Sequence, residues 1–126
     1  IQAAAFHRID TLHAIMDVNR QQCDGAMSSV MDVGDIKARI ETFGGIAVWV
    51  DAHNLDEIRE AVKTPHHGKP LIILANSSPF RGMPTLQLRF PGLHYIRFRS
   101  ERERTRMNRE IARSLGIDPI DCGERC

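Results

Sequence analysis

The run Leu71-Ile72-Ile73-Leu74-Ala75 decides the fold, because all five of its residues are apolar and turn residues precede it. Lys69-Pro70 stands before this run and Asn76 follows it. A strand with one solvated face alternates apolar and polar residues, whereas an unbroken apolar run is typical of a parallel strand covered on both faces. We therefore predict a buried strand over residues 71–75.

Two earlier segments also read as strands: residues 46–50 are apolar throughout, and residues 12–18 are mostly apolar. Amphipathic helices are predicted between the strands. Asp35 can begin one that carries Ile36 and Ile40 and ends near Gly44. Asn54 and Glu57 form a capping-box-like pair that opens another, through about residue 63, with Leu55, Ile58 and Val62 on its inner face. Apolar strands alternating with helices predict an α/β fold with a partial, doubly wound parallel sheet.

The sequence predicts fewer helices and strands in the rest of the chain. Residues 2–9 read as a helix with Ala5, Phe6 and Ile9 on one face, and residues 27–33 as irregular. The segment 76–84 is rich in loop-forming residues, and 94–98 alternates like a short strand. Ser100 can cap a final helix over 101–115, with Glu103 in the capping-box position and Gly116 at its end.

Composition sets broad limits on the class of protein. The chain has 126 residues, of which 42% are hydrophobic and 26% charged, and its net charge is +1. These values are typical of one soluble globular domain, and they predict neither a nucleic acid nor a membrane as partner. Three scattered cysteines favour a reducing compartment, so we expect a cytoplasmic protein. Cys23 reads as an inert, partly buried thiol, and Trp49 as a core residue.

The segment from Asp17 to Gly25 is the strongest candidate for a binding site. It follows the first predicted strand, and loops at the carboxyl ends of parallel strands are where ligands bind in open α/β sheets. Asn19 and the backbone beyond it can offer the oxygen donors that a phosphate-bound Mg²⁺ prefers. The alternative is that Asn19 satisfies only its own turn.

Three short motifs follow one another along the chain. The first is Asp17-Val18-Asn19 with Asp24-Gly25, and the second is Val50-Asp51-Ala52-His53-Asn54. The third is Lys69-Pro70, directly before the apolar run. In this order the chain resembles the N-terminal, thiamine diphosphate-binding part of transketolase, and most of all the split form in which that part is a separate subunit. The resemblance implies that residues 1–98 are part of a thiamine diphosphate-binding α/β domain. Residues 99–126 would form a basic C-terminal helix and tail.

The resemblance also implies a site and a reaction. The Asn19 side chain and the Gln21 main-chain carbonyl would be Mg²⁺ ligands, and both would thereby bind thiamine diphosphate. His94 lies near the place of a family histidine that handles protons on the sugar, so it is the candidate catalytic residue. The implied activity moves a two-carbon ketol unit between sugar phosphates. The implied partner is a C-terminal, pyrimidine-binding subunit in an oligomer.

The sequence departs from the family pattern at two places. The Gly-Asp-Gly motif that carries the remaining metal ligand would lie upstream of Ile1, so we expect this chain to be incomplete as an enzyme by itself. The turn from Asn76 to Gly82 replaces a His-Thr and a Lys/Gly-rich segment. Two alternatives therefore stay open: a component of another thiamine diphosphate enzyme, such as a 2-oxo acid dehydrogenase, and a non-catalytic interaction subunit.

The region of residues 97–113 is strongly basic. It holds seven arginines against three glutamates, an excess of four positive charges. Interleaved glutamates and the lack of aromatic residues in the helix favour a solvated face or a contact with a partner subunit over nucleic-acid binding. Among the histidines, we expect His66 and His67 in an exposed turn, His13 in the scaffold, and His53 in a structural role at the end of its strand.

Overall fold

The computed structural model describes residues 1–118, which form two compact units. The first unit comprises Ile1–Arg20 and Met31–Ser77, and the second comprises Gln21–Val30 and the chain from Ser78 onward. The elements of the first unit are α1 (Gln2–Phe6), β1 (His13–Val18), α3 (Ile36–Thr42), β4 (Ile46–Asp51), α4 (Leu55–Ala61) and β5 (Leu71–Asn76). Those of the second are β2 (Gln21–Gln22), β3 (Gly25–Ala26), α2 (Met27–Val30), α5 (Pro84–Gln87) and α6 (Glu101–Leu115).

The first unit is built on a three-stranded parallel sheet in the order β1-β5-β4. The strands run in step, because Leu71 at the start of β5 pairs with both His13 and Ile46. Every residue from Leu71 to Ala75 is buried, which confirms the predicted central strand. The sequence prediction of an α/β fold with a partial parallel sheet is therefore confirmed.

Each face of β5 packs into a separate apolar cluster. Ile72 and Leu74 point to one face, where they join Ile40 of α3. Leu71, Ile73 and Ala75 point to the other face, where Ala61 of α4 is buried and Ile58 packs beside it. Because neighbouring side chains of a strand alternate between faces, this arrangement accounts for the unbroken apolar run.

The predicted helix caps are present. Asp35 Oδ1 accepts a hydrogen bond from the Ala38 amide at 3.0 Å and begins α3. Asn54 Oδ1 accepts from the Asp56 amide at 3.1 Å, while Asn54 Nδ2 donates to Glu57 Oε1 at 2.9 Å. Side chains that satisfy the first amides of a helix stabilise its start, so these short helices begin where the sequence places them.

Two predicted apolar faces are wrong. Helix α1 ends at Phe6 rather than at residue 9, since Arg8 adopts a positive φ of 53°, and Phe6 is 80% exposed. On α4 the predicted inner residues Leu55 and Val62 are exposed, and Ala61 is buried instead. Both helices are short, about one to two turns, so each buries fewer positions than a longer amphipathic pattern predicts.

The second unit differs more from the sequence prediction. Residues 21–26 form a hairpin of β2 and β3, and part of the segment 27–33 forms the short helix α2 rather than irregular structure. The predicted strand over 94–98 is absent from the described chain, because alternation alone makes no strand without a neighbour to accept its hydrogen bonds. Helix α6 matches its predicted bounds and ends at Gly116, whose φ is 65°.

The described part of the chain, residues 1–118, contains no helix long and apolar enough to cross a membrane. Cys23 is exposed in the β2–β3 turn and forms no disulfide, which corrects the prediction of a partly buried thiol. Cys122 and Cys126 lie outside the described residues.

Candidate functional site

The three strands of the main sheet end in one row. Val18 of β1 and Asp51 of β4 both pair with Asn76 of β5. The residues that follow, Asn19 and Ser77 among them, therefore leave the sheet at the same carboxyl edge. In open α/β sheets this edge is where ligands bind, so the structure places Asn19 at the predicted position relative to its sheet.

Asp17 connects two of these strand ends. Its Oδ2 accepts a hydrogen bond from Asn19 Nδ2 at 3.0 Å, and its Oδ1 accepts one from the Ser77 hydroxyl. The Ser77 amide also donates to the Val18 carbonyl at 3.3 Å. The hydrogen bond to Asp17 orients the planar amide of Asn19 with its nitrogen toward that carboxylate. The amide oxygen Oδ1 is the atom of this side chain whose chemistry suits a cation.

A groove of about 540 Å³ opens beside the ends of β4 and β5. It is lined by Arg20, Trp49, Val50, Asp51, Glu57 and Asn76. Glu57 lines the groove and also stabilises the fold. Its Oε2 accepts a hydrogen bond from the Asp51 amide at 2.8 Å, and it lies in the first turn of α4, whose N-cap is Asn54. The groove thus combines a guanidinium, carboxylates and an aromatic ring, which suits a polar ligand with a planar part.

Sequence reasoning missed two residues of this groove. Trp49 is 47% exposed, so its prediction as a core residue is wrong, and the reason is its position on an edge strand. Arg20 has a φ of 59°, in the left-handed region that few non-glycine residues adopt. Only the position of Arg20 in the sequence pointed to it, because it directly follows Asn19 in the segment from Asp17 to Gly25.

Gln21 and His94 belong to the second unit, whereas Asn19 belongs to the first. Gln21 lies in β2, where it pairs with Ala26 of β3. His94 is exposed in an irregular segment, and its ring meets that of Tyr95 edge to face at a centroid distance of 4.6 Å. Ligation by Gln21 and catalysis by His94 stay predictions.

A pair of histidines lies at the opposite end of the strands. His13 begins β1, and its Nε2 is 3.0 Å from Nε2 of His66, in the turn before β5. His66 Nδ1 also lies 2.6 Å from the Thr64 carbonyl, so this ring is partly buried and not simply exposed in a turn as predicted. Within residues 1–118 no group of three or more His, Cys, Asp or Glu side chains is arranged to hold a metal, and the pair connects the start of β1 to the turn before β5.

Two glutamates of α6 are held in the ionised form. A hydrogen bond from Arg89, whose Nε lies 2.9 Å from Glu103 Oε1, and one from the Arg99 amide keep the pKa of Glu103 below its usual range. Burial raises the pKa of Glu110, but hydrogen bonds from the hydroxyl and amide of Thr85, with help from Arg106, outweigh it and lower that pKa overall. Both carboxylates therefore contribute stability only while they are charged.

We expect the second unit to lose stability as the pH falls. A carboxyl whose folded pKa is depressed stabilises the fold above its unfolded pKa, about 4.3, and this stabilisation is lost as the pH falls through the lower, folded value. Urea unfolding between about pH 5 and pH 3 should show this loss. The variant Glu103→Gln/Glu110→Gln should be less stable at neutral pH and have a flatter profile. Glu60→Gln, which removes an exposed ion-pair partner, is the control. An unchanged profile in the double variant would contradict the assignment.

Comparison with known proteins gives relatives at low identity, among them the following three. A transketolase family protein of Sinorhizobium fredii is 28% identical over 98 residues, which cover 75% of this chain and 35% of that protein. A 6-deoxy-6-sulfo-D-fructose transketolase subunit of a Clostridium species is 34% identical over 86 residues, or 64% of this chain and 31% of the subunit. The transketolase of Pongo abelii is 34% identical over 82 residues, or 64% of this chain and 13% of that enzyme. These matches support a transketolase-family region in this chain.

The matched part of this chain spans about a third or less of each relative's length. No family model matches the chain, and no solved structure matches it. One of the relatives is named as a subunit. The three-stranded parallel sheet with its flanking helices is consistent with a partial thiamine diphosphate-binding domain.

Proposed function

We propose that this chain is part of a transketolase-like transferase that moves a two-carbon ketol unit between sugar phosphates with thiamine diphosphate and Mg²⁺. The observation that carries the proposal is the position of Asn19, directly after β1 at the carboxyl edge of a parallel sheet and oriented by Asp17. The transketolase names of the relatives give the proposal its reaction class.

The two proposed donors suit a magnesium ion by their chemistry. Mg²⁺ takes oxygen ligands, uses few protein groups and keeps the rest for water or phosphate. Asn19 would supply its amide oxygen and Gln21 its main-chain carbonyl, and both are oxygen donors of the required kind. When bound, thiamine diphosphate supplies the carbanion chemistry that makes and breaks the carbon–carbon bond.

The chain's own residues would bind and orient rather than break bonds. Asp17 holds the Asn19 amide in one orientation, and Ser77 holds Asp17 in turn. Such outer contacts fix the geometry of a ligand and its affinity for the metal. His94 would handle a proton on the sugar, and a C-terminal, pyrimidine-binding subunit would complete the site in an oligomer.

Two other functions make different predictions about the same site. A component of a 2-oxo acid dehydrogenase would use the same cofactor but act on a 2-oxo acid. A non-catalytic interaction subunit would bind no cofactor, and the altered turn from Asn76 to Gly82 is the feature that favours it.

The test uses this chain within its full-length protein, alone and with a candidate C-terminal subunit. Thiamine diphosphate and Mg²⁺ are titrated by calorimetry, and the assembled pair is assayed with a ketose phosphate donor and an aldose phosphate acceptor. We expect Mg²⁺-dependent cofactor binding and ketol transfer by the pair. Turnover of a 2-oxo acid without ketol transfer would identify the dehydrogenase class instead. Failure to bind the cofactor under every condition would favour the interaction subunit.

A further inference from the structure

Helix α6 carries a row of four arginines on one face. They are spaced four, three and four residues apart, which is the spacing that places helical side chains above one another. All four are exposed. We call this row the arginine stripe, and its members are Arg102, Arg106, Arg109 and Arg113.

Among the described residues, little negative charge compensates the positive charge of the stripe. Arg106 Nε lies 3.5 Å from Glu110 Oε1, and the Arg106 side chain is still 61% exposed. Within residues 1–118, the side chains of Arg102, Arg109 and Arg113 have no hydrogen-bond or ion-pair partner.

Hydrogen bonds from other residues hold the two nearby glutamates in place. Glu103 is held by Arg89 and by the Arg99 amide, and Glu110, which also contacts Arg106, is held by the amide and hydroxyl of Thr85. Neither carboxylate can turn toward Arg102, Arg109 or Arg113 without losing those hydrogen bonds.

The stripe forms one wall of a groove of about 910 Å³. Thr85 and Leu88, from α5 and the residue after it, contribute to the lining, and so does Arg99 before the helix. Thr85 is buried, whereas Leu88 is 76% exposed. The groove therefore offers an apolar contact beside a row of guanidinium groups.

We propose that this groove binds an acidic polypeptide segment of a partner protein. At about 1.5 Å of rise per residue, the stripe extends over roughly 16 Å. That length exceeds a single phosphorylated sugar and matches about five residues of extended chain, at about 3.3 Å each. A guanidinium group donates two parallel hydrogen bonds to a carboxylate, so acidic side chains spaced along such a segment can each bind one arginine.

The same groove is a poor match for a nucleic-acid strand. Sequence-independent binders of single strands use aromatic side chains as stacking platforms, and among residues 1–118 no aromatic residue lines this groove. Glu103 and Glu110 line it as ionised carboxylates, which repel a phosphate backbone that is charged at every nucleotide. A polypeptide can place uncharged residues opposite these two glutamates, because only some of its side chains are charged.

The test measures binding of a fluorescein-labelled peptide of six Glu-Ser repeats to the full chain by fluorescence anisotropy at low ionic strength. We expect binding that weakens as salt is added and that falls about tenfold or more in Arg102→Gln/Arg109→Gln. The matched control is Arg59→Gln/Lys63→Gln, which removes two positive charges from α4 and the residues just after it, and it should bind as the wild type does. Circular dichroism confirms that both variants are folded.

Three outcomes would overturn the proposal. One is an absence of peptide binding at low ionic strength by the folded wild-type chain. Another is an equal loss of peptide affinity in the two double variants, which would show that binding depends on the net charge of the chain and not on the stripe. The third is tighter binding of a twelve-residue oligothymidylate than of the peptide, lost in Arg102→Gln/Arg109→Gln, which would make the groove a nucleic-acid site. The proposal is independent of the ketol-transfer proposal, since the assay contains neither thiamine diphosphate nor sugar.

Discussion

Leu74→Ala should lower the free energy of unfolding by about 3–4 kcal/mol. Leu74 lies in the central strand β5, its side chain is 0% exposed, and it belongs to the apolar cluster with Val18, Ile40, Ala47 and Ile72. Truncation removes buried apolar surface and leaves a cavity. The cavity closes poorly, because β5 is hydrogen-bonded to a parallel strand on each side. Urea unfolding followed by far-ultraviolet circular dichroism measures the change.

Leu55→Ala is the matched control for this prediction. It makes the same substitution in the same unit, at a side chain that is 73% exposed. Its effect should stay within about 0.5 kcal/mol, as for most surface substitutions. Equal losses in the two variants would show that β5 is not the centre of the core.

Asn19→Ala should lower ketol transfer by about 100-fold in the assembled pair, if the chain has the proposed function. The substitution removes an oxygen donor at the carboxyl edge of the sheet, so the Mg²⁺ concentration needed for half-maximal activity should rise by about tenfold or more. Asn19 Nδ2 also donates to Asp17, so a small loss of stability is expected as well. The measurement is initial rate against Mg²⁺ concentration at saturating thiamine diphosphate.

Asn108→Ala, on α6, is the control for the loss of an asparagine side chain. Its Mg²⁺ requirement should match that of the wild-type pair. A folded Asn19→Ala pair with wild-type rate and wild-type Mg²⁺ requirement would rule out Asn19 as a metal ligand. The family-level similarity would stand in that case, and the cofactor would have to be held by other groups.

The features that follow from local chemistry could be predicted from the sequence. The apolar run from Leu71 to Ala75 indicates burial on two faces by itself, and that prediction is confirmed. Asp35, Asn54 and Ser100 begin helices because their side chains reach amides two or three residues away, within one turn of chain. Such signals need no knowledge of the rest of the fold.

The features that depend on distant partners could not be predicted. The order β1-β5-β4 reverses the sequence order of β4 and β5, and no local pattern contains that information. The contact between Asp17 and Ser77 joins residues 60 positions apart. Trp49 reads as a core residue because its strand is apolar, and it is exposed only because β4 is an edge strand. The roles of Gln21 and His94, and the predicted division of the chain at residue 98, stay predictions.

The position of β5 between β1 and β4 has a consequence for handling the protein. Within residues 1–118 no strand pairs with the outer side of either edge strand, and Ile15 on β1 is 63% exposed. An open edge presents a row of backbone donors and acceptors that another chain can join, and exposed apolar side chains strengthen that joining. Concentrated preparations of the isolated chain are therefore expected to associate edge to edge, through pairing of β1 or β4 with a strand of another copy. Coexpression with a chain that covers these edges is the more favourable route to soluble material.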